Sequence, residues 1–490
     1  MSAGGASLSP PAAAVAATAD HTAVEVPAVP LSFADRPGLL DAEGRLMLKN
    51  LTLEELQEWC EAAGHGSKRA SQLWRAIYGD KSWIRSMDDA DASAHRFAAA
   101  FKAVVAQGAS LAGGLSLQSA STARDGTHKL VFAVHGGPGG NVETVLIPMH
   151  NRDGSQLRYT ACLSSQVGCA MNCQFCYTGR MGLLGNLTTA QMVEQLVEAR
   201  RWLAQYSQQQ QQQQQQQTEE VLLQGGSQQQ QQQQEDAQWQ QLATAPPRIN
   251  NIVFMGMGEP LHNMSALMPA LDIICHPQGL ALSRSKVIVS TVGLVPQLRQ
   301  LRASGKAKLA VSLHATTDEV RSWIVPTNRK HPLDELIGAL RELSSSSSSS
   351  STRRSAKSDD FVVIEYVLLK DVNDTEEDAR RLLDLLADVY CMVNLIVFNP
   401  HEGTRFQRSD DEQVKRFRQV LMQGGKVCTL RMSKGDDEMA ACGQLGNPEL
   451  APRPAPLLRP PAQLRESLPG AAAAAEAAEL QRRQLGARQR

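Results

Sequence analysis

The residues in this chain best suited to chemistry are cysteines. Cys169, Cys173 and Cys176 lie in Cys-Ala-Met-Asn-Cys-Gln-Phe-Cys, three thiols within eight residues. Thiolates are soft ligands suited to iron–sulfur clusters and to zinc. A structural zinc site built from thiolates takes four ligands, commonly two CxxC pairs. This CxxxCxxC trio has no second pair nearby, which favours a cubane cluster with one iron left open over zinc or unrelated thiols. Two more cysteines have motifs around them. Cys162 precedes the trio by seven residues, and Cys442 stands far downstream in Ala-Ala-Cys-Gly-Gln-Leu, where a following glycine allows a mobile nucleophile. Cys60, Cys275, Cys391 and Cys428 lack such context and read as small buried apolar residues.

These thiols need a scaffold, and the apolar rhythm of the chain supplies one. Six β-rich runs occur: Tyr159–Leu163, Asn251–Met255, Lys286–Val289, Lys308–Val311, Phe361–Leu368 and Val393–Phe398. Helical stretches such as Thr189–Leu203 and Asp374–Val389 separate them. Continuous apolar strands alternating with helices imply a parallel sheet covered on both faces. Six units are too few for a closed eight-stranded barrel. The expected fold is therefore α/β, a partial (β/α)6 TIM-type barrel, with an open doubly wound sheet as the alternative. In barrels, active groups gather at the C-terminal ends of strands. The thiol trio follows the first strand. The second ends in Met-Gly-Met-Gly258-Glu259-Pro, the third in Ser290-Thr-Val-Gly, the fourth in Ser312-Leu313-His314-Ala and the sixth in Phe-Asn399-Pro. Each alone is an ordinary turn or capping residue. Together, in register with four strand ends behind a thiol loop, they mark a ligand site.

The rest of the chain divides by composition. Residues 1–45 form an Ala/Pro-rich head and 447–490 a Pro/Ala/Arg-rich tail, both read as disordered. Residues 46–110 read as a helical accessory domain: Thr52 and Glu55 have capping-box spacing, and Leu73, Trp74, Ile77 and Tyr78 keep a helical period. Its Lys68, Arg69 and Arg75 suit RNA contact or a merely structural cap equally well. Residues 111–157 contain Lys129–Val134 and Val142–Ile147 around His-Gly-Gly-Pro-Gly-Gly, a β-hairpin extension. The barrel, 158–446, carries low-complexity inserts at 206–246 (two glutamine runs) and 344–357 (eight serines), placed where loops are expected. Without head, inserts and tail roughly 350 residues remain, enough for a large core.

Composition excludes several classes. No stretch approaches the roughly 20 apolar residues of a membrane span. Nine cysteines are sparse and odd in number, unlike a disulfide scaffold. A net charge of −1 argues against binding nucleic acid by bulk charge, but not against a local basic groove. No Lys or Arg precedes Arg36, so the start lacks the basic region of a secretory signal; being Ala/Ser-rich and acid-poor it is faintly like an organelle transit peptide, although the missing arginines count against that. The expected location is cytoplasm or plastid stroma, neither secreted nor membrane-bound.

With these motifs in this order, the chain resembles the radical S-adenosylmethionine (SAM) superfamily and, within it, the adenine-methylating branch. The resemblance spans residues 46–446 with the inserts as departures. It includes Val142-Glu143-Thr-Val, Ser164-Ser-Gln-Val-Gly, Gly-Met-Gly-Glu-Pro, Ser-Leu-His-Ala, Phe-Asn-Pro and Ala-Ala-Cys-Gly-Gln-Leu. It implies methylation of position 2 of an adenosine in large-subunit ribosomal RNA and, in dual-specificity members, transfer RNA. It also implies a [4Fe–4S] cluster on Cys169, Cys173 and Cys176, with its free iron binding SAM, and Gly258, Glu259, Ser290, Ser312, Leu313, His314 and Asn399 around that cofactor. The ring carbon is too electron-poor to attack a methyl sulfonium, so the cofactor must supply radical chemistry. In enzymes of this kind one SAM methylates the cysteine matching Cys442. A second yields a deoxyadenosyl radical that takes hydrogen from the S-methyl group, and the carbon radical adds to the adenine. The cysteine matching Cys162 then attacks the Cys442 sulfur, releasing methylated RNA and leaving a disulfide. Glu143 matches the proton acceptor.

A flavodoxin- or ferredoxin-type electron donor, a thiol-reducing compartment and a monomer are further implications. RNA should be read at loops and splayed bases. Arg180, Arg284, Lys286, Arg329 and Lys330 are candidate phosphate contacts, each alone more simply surface charge, and Arg482 and Arg483 of the tail could add nonspecific attraction. The rival readings are the sister activity at position 8 of the same ring, and a noncatalytic RNA-binding protein with a structural metal.

Overall fold

The computed structural model describes residues 31–34, 36–79, 83–92, 95–150, 157–223, 248–346, 361–431, 433–446 and 455–465. Most of the head, the second glutamine run, most of the serine run, and Arg482 and Arg483 lie outside the described residues.

The described chain opens with β1 (Leu46–Met47) and four helices, α1 (Leu53–Ala62), α2 (Ser67–Tyr78), α3 (Met87–Ala92) and α4 (Ala99–Gly108), followed by β2 (Ala109–Ser110), which pairs in parallel with β1. Thr52 caps α1 as its spacing predicts. Its hydroxyl accepts from the Glu55 N–H at 3.3 Å, and Glu55 Oε2 accepts from the Thr52 N–H at 2.8 Å. Such a cap stabilises by about 1 kcal/mol. The helices share one apolar core with the main body. Lys49 Nζ is buried against both oxygens of Glu194, 2.8 Å from each, and Asn50 Oδ1 accepts from the Ala190 N–H at 2.7 Å. Breaking one partner of such a buried pair costs about 3–5 kcal/mol, so this contact fixes the helical segment in place.

Three antiparallel strands follow, β3 (Leu115–Thr122), β4 (His128–Val134) and β5 (Asn141–His150), then β6 (Leu157–Cys162). The sequence predicts only two of the three. β3 is exposed along almost all of its length, so it lacks the apolar signal of its partners. Beyond β6 a small hairpin, β7 (Gln166–Gly168) and β8 (Leu183–Asn186), encloses the thiol loop and the short α5 (Tyr177–Arg180).

The remainder alternates: α6 (Thr189–Leu223), β9 (Arg248–Phe254), α7 (Met264–Cys275), β10 (Val287–Thr291), α8 (Val295–Ser304), β11 (Lys308–Ser312), α9 (Asp318–Ile324), α10 (Leu333–Ser346), β12 (Val362–Leu368), α11 (Glu376–Leu385), β13 (Cys391–Val397), α12 (Asp411–Gln423) and β14 (Val427–Arg431). One ten-stranded sheet runs β14-β13-β12-β11-β10-β9-β6-β5-β4-β3. From β6 through β14 all neighbours are parallel. This is a mixed α/β fold on a large, mostly parallel sheet. β14 is a further parallel strand beyond the six expected; its five residues are only partly buried and carry no continuous apolar run.

Two low-complexity stretches differ from expectation. The first glutamine run, Gln208–Gln217, continues α6 rather than forming a loop. Glutamine loses little rotamer freedom in a helix, and a helix already nucleated on buried turns extends readily. In the tail, residues 455–465 lie against the thiol loop. Among the described residues no helix is long and apolar enough to cross a membrane.

Candidate active site

Parallel strands put all their C-terminal ends on one edge, and there the expected residues meet. The hairpin of β7 and β8 closes the neck of the thiol loop, where the Cys169 N–H donates to the Gly182 carbonyl at 2.8 Å. Inside the loop Asn172 turns left-handed (φ 52°), and the Cys176 N–H donates to the Cys173 carbonyl at 3.0 Å. Gly179 packs on that turn. A Cβ there would lie 3.0 Å from the Cys173 carbonyl oxygen and 3.1 Å from its nitrogen. All three cysteines consequently line one cleft of about 140 Å³.

The same cleft is lined by Gly258, Glu259, Ser290, Ser312, His314 and Cys442. Gly258 has φ +97°, and a Cβ there would fall 2.5 Å from Gln166 Cβ, so only glycine fits. The turn it makes delivers Glu259, whose Oε2 accepts from the Val292 N–H at 2.9 Å and whose Oε1 accepts from the Leu261 N–H at 3.1 Å. Burial raises this carboxyl to about 7, against the lowering effect of those N–H donors. Ser290 and Ser312 stand on neighbouring strands with hydroxyls 3.5 Å apart.

His314 is left-handed (φ 61°), and its Nδ1 accepts from the Val367 N–H at 3.1 Å. Burial, helped by Arg321, lowers it to about 3 and leaves the ring neutral. Leu313 is fully buried and does not line the cleft; its N–H donates to the Glu365 carbonyl at 3.1 Å. Asn399 lies behind the cleft, beside Cys442, and donates to the Cys442 carbonyl at 3.2 Å.

The Cys442 segment folds back over α5. The Tyr177 N–H donates to the Gly443 carbonyl at 2.8 Å, and the Thr178 hydroxyl to the Leu445 carbonyl at 2.5 Å. Just beyond, the Gly446 N–H donates to Glu143 Oε2 at 3.3 Å, bringing the carboxyl on β5 to this segment. Burial raises Glu143 above its ordinary range, while Lys129 and the Gly446 N–H oppose the rise. Cys162 ends β6, buried beneath the cleft. Burial pushes its thiol up to about 12, Arg431 opposes the rise and charge on Cys442 adds to it. Cys442 is likewise raised by burial, lowered by Arg431 and raised by Glu365. Both cysteines are free thiols.

Sequence reasoning missed two groups that line the cleft with Cys442. Arg431 ends β14, lines the cleft beside Cys442, and donates from Nη1 to Met255 Sδ at 3.8 Å. Glu365 is buried on β12, with both oxygens accepting from Asn394 Nδ2 at 3.1 and 3.0 Å. A lone acid within an apolar strand was the available signal for Glu365; Arg431 had none beyond standing eleven residues before Cys442.

Of the candidate phosphate contacts, Arg180 ends α5 beside the thiol loop, and Arg329 and Lys330 follow α9, just past Thr327, whose hydroxyl contacts Met171 of that loop at 3.2 Å. Arg284 and Lys286 precede β10 and so stand at the opposite edge of the sheet, away from the cleft.

The donor set fits a cluster. Burial raises all three thiols of the trio, and for Cys173 the charges of Cys169 and Cys176 raise it further; the thiolates of such a set need cations against them. Among the described residues no three His, Cys, Asp or Glu side chains close around a single ion.

No family model matches the chain. It is 37% identical over 406 residues to the dual-specificity RNA methyltransferase RlmN of Syntrophotalea carbinolica, covering 83% of this chain and 91% of that protein. It is 35% identical over 400 residues to RlmN of Syntrophobacter fumaroxidans, covering 81% of this chain and 97% of the relative. Among solved structures it is similar to a radical SAM methyltransferase from Sphaerobacter thermophilus, with 34% identity, a TM-score of 0.63, and coverage of 81% of this chain and 98% of that one.

Proposed function

The chain belongs to the dual-specificity RNA methyltransferases of the radical SAM type, and from that premise we propose that it methylates position 2 of an adenosine in large-subunit ribosomal RNA and in transfer RNA. The observation that carries this reading is that the thiol trio and Cys442 line one cleft, with Cys162 buried close enough to Cys442 to feel its charge. A single thiol trio would serve many radical reactions; a second, mobile thiol in the same cleft suits methyl transfer through sulfur.

Cys169, Cys173 and Cys176 would hold a [4Fe–4S] cluster, and Gly258, Glu259, Ser290, Ser312 and His314 would border SAM on its open face, with Leu313 and Asn399 acting through backbone contacts. When bound, the two together supply one-electron cleavage of a carbon–sulfur bond and so a hydrogen-abstracting radical. The protein's own groups do the rest. Glu259 accepts from the SAM amino group. Cys442 carries the methyl group on sulfur and links to the adenine carbon. Glu143, near the Cys442 segment through Gly446, takes the proton lost from that carbon. Cys162 then attacks the Cys442 sulfur: the sulfur–carbon bond breaks with its electron pair passing to the adenine-bound carbon, which takes a proton to become the methyl group, and a Cys162–Cys442 disulfide forms. Arg431, whose charge opposes the upward shift of both thiols, favours the thiolate that each step needs.

The disulfide must be reduced before the next turnover, which suits a reducing compartment, cytoplasm or plastid stroma. The reading further takes a flavodoxin- or ferredoxin-type donor and a monomeric enzyme. Strands β6 and β9–β13 make its six units of a partial (β/α)6 TIM-type barrel within 158–446. Residues 46–110 are the helical accessory domain and 111–157 the β extension; the head is 1–45 and the tail 447–490. Mass spectrometry of nucleosides from RNA treated with the reconstituted enzyme tests the proposal: 2-methyladenosine is expected. 8-Methyladenosine would assign the sister activity, and unmodified RNA with a colourless zinc protein would sink the radical reading.

A further inference from the structure

Arg321 is one of the largest fully buried side chains of the protein, with 0% exposure. It sits on α9. Its Nε donates to the Leu313 carbonyl at 2.9 Å, Nη1 to Asn328 Oδ1 at 2.8 Å, and Nη2 to the carbonyls of Val292 at 2.7 Å and Ser312 at 3.2 Å. Every one of these acceptors is neutral. Among the described residues Arg321 makes no ion pair. The two acids on its own helix, Asp318 and Glu319, are exposed and occupied elsewhere: Asp318 Oδ1 accepts from Asn328 Nδ2 at 2.7 Å and from the Leu333 N–H at 2.9 Å, and Glu319 Oε2 accepts from Gln463 Nε2 at 2.9 Å. A fully buried guanidinium without a counter-charge is strongly destabilising. Burial lowers Arg321 to about 10, and what opposes the fall is negative charge on Cys173 and Asp318.

The thiol loop is packed on this same helix. The Gln174 N–H donates to the Ile324 carbonyl at 2.9 Å, and the Thr327 hydroxyl contacts Met171 Sδ at 3.2 Å. Cys173 shares an apolar cluster with Trp323, Ile324 and Val325, the residues that continue from Arg321. Its partner carbonyls, Val292, Ser312 and Leu313, belong to or directly follow the strand ends that wall the cleft. The buried cation and the buried thiols therefore occupy one corner, shielded from water.

We propose that Arg321 is the built-in counter-charge of the iron–sulfur cluster and favours its reduced state. The proposal rests on the reading that the trio holds that cluster. In reduction, one electron leaves the donor flavin or iron–sulfur protein, which is oxidised by one electron, and enters the cluster; no bond or proton moves. The cluster becomes more negative by one charge, and a fixed cation beside it stabilises the reduced form more than the oxidised one. Charge and hydrogen bonding around a cluster are the protein's means of setting its potential, and burial makes a single charge count for more. Arg321 is on this account a positioning charge, acting through the cluster rather than on substrate.

The test uses the full-length holoenzyme, reconstituted anaerobically, with the paramagnetic signal of the reduced cluster followed at controlled potentials. Arg321→Gln removes the charge, and the reduced-to-oxidised ratio at fixed potential should fall about tenfold, which is 59 mV for one electron. Arg321→Lys keeps the charge while losing most of the hydrogen bonds, and should stay within about threefold of the parent. A Gln variant with the parent's midpoint, or a Lys variant displaced as far as the Gln variant, overturns the proposal in favour of a purely structural tie. Asp318→Asn decides if Arg321→Gln does not fold. It is exposed, leaves every hydrogen bond of Arg321 in place, and should raise the ratio about twofold; no shift means that charge at this corner does not reach the cluster. A colourless, iron-free protein would sink the cluster reading itself, whereas a brown protein with unmoved midpoints sinks only the role of Arg321.

Discussion

Asn399 Nδ2 donates to the backbone carbonyl of Cys442 across 3.2 Å, and the Ser433 hydroxyl donates in turn to Asn399 Oδ1. The asparagine at the end of β13 thus fixes the segment that must carry its sulfur between two partners. A neutral hydrogen bond of this kind is worth about 1 kcal/mol, or about fivefold in a rate that depends on it. Asn399→Ala should slow methylation of RNA by about that factor or more, leaving the cluster's absorbance unchanged. Steady-state methylation assays with iron content as the control check it; an unchanged rate would show that Cys442 is held by its contacts with α5 alone.

The paired thiols give a sharper outcome. Cys442→Ala should retain the cluster and yield no methylated RNA, because the methyl carrier is gone. Cys162→Ala should accumulate protein covalently bound to RNA, visible as a shifted band on a denaturing gel. The pH response follows from burial. With the Cys162 thiol near 12, its thiolate fraction at pH 7–9 is small and rises about tenfold per unit. Adduct release, followed by rapid quench, should therefore quicken with pH through this range. Arg431→Gln should slow it at every pH in the range, since the guanidinium is the group that opposes the upward shift.

Most of this site was legible because its residues sit in short motifs at strand ends, where period and position coincide. Cys169, Cys173, Cys176, Gly258, Glu259, Ser290, Ser312 and His314 all line one cleft. What escaped was contact made by distant parts of the chain. Arg431 lies on a five-residue strand with no apolar run, and Arg321 looks on paper like any helical arginine. Only the sheet register reveals Glu365 opposite Asn394, in the row that runs from Ser312 on β11 to Thr429 on β14. The glutamine run also misled: low complexity implied a loop, yet helix propagation from the buried turns of α6 carries through it.

If Glu259 borders SAM as proposed, binding of SAM should depend on pH. Its folded-state value near 7 lies above the ordinary 4.5, so the native protein holds a proton that the unfolded chain has already lost, and stability from this group falls as pH rises from about 4.5 to 7. Ligand binding moves the other way. In the proposed complex the ionised carboxylate would accept from the SAM amino group, so affinity should rise as pH climbs from 6 to 8. Isothermal titration of the reconstituted protein checks this. In Glu259→Gln the pH dependence from this group should vanish and affinity at pH 8 should fall about tenfold, the loss expected for a hydrogen bond to a charged acceptor.

The tail makes a prediction about the cluster loop from its outer side. The Ala455 N–H donates to the Arg180 carbonyl at 2.8 Å, Asn172 Nδ2 to the Pro456 carbonyl at 3.0 Å, the Leu458 N–H to Gln174 Oε1 at 2.7 Å, and Trp323 Nε1 to the Leu458 carbonyl at 3.2 Å. Leu458 and Leu464 pack on the apolar cluster that includes Cys173. Gln174, between two of the thiols, is thereby held from outside by the tail and by Arg405, which donates to the same Oε1 at 3.0 Å. Hydrogen exchange should find the Ala455 and Leu458 amides protected in the full-length protein. Partial burial of one leucine is worth about 1 kcal/mol, so Leu458→Asp should speed exchange across 455–465 and across 171–176 by about fivefold, while Leu458→Met leaves both near the parent. Exchange of 455–465 at the rate of an unstructured peptide in the parent would show that the tail does not hold the loop; slow exchange in both segments, lost together in Leu458→Asp, would make the tail part of the wall that keeps the thiols from solvent.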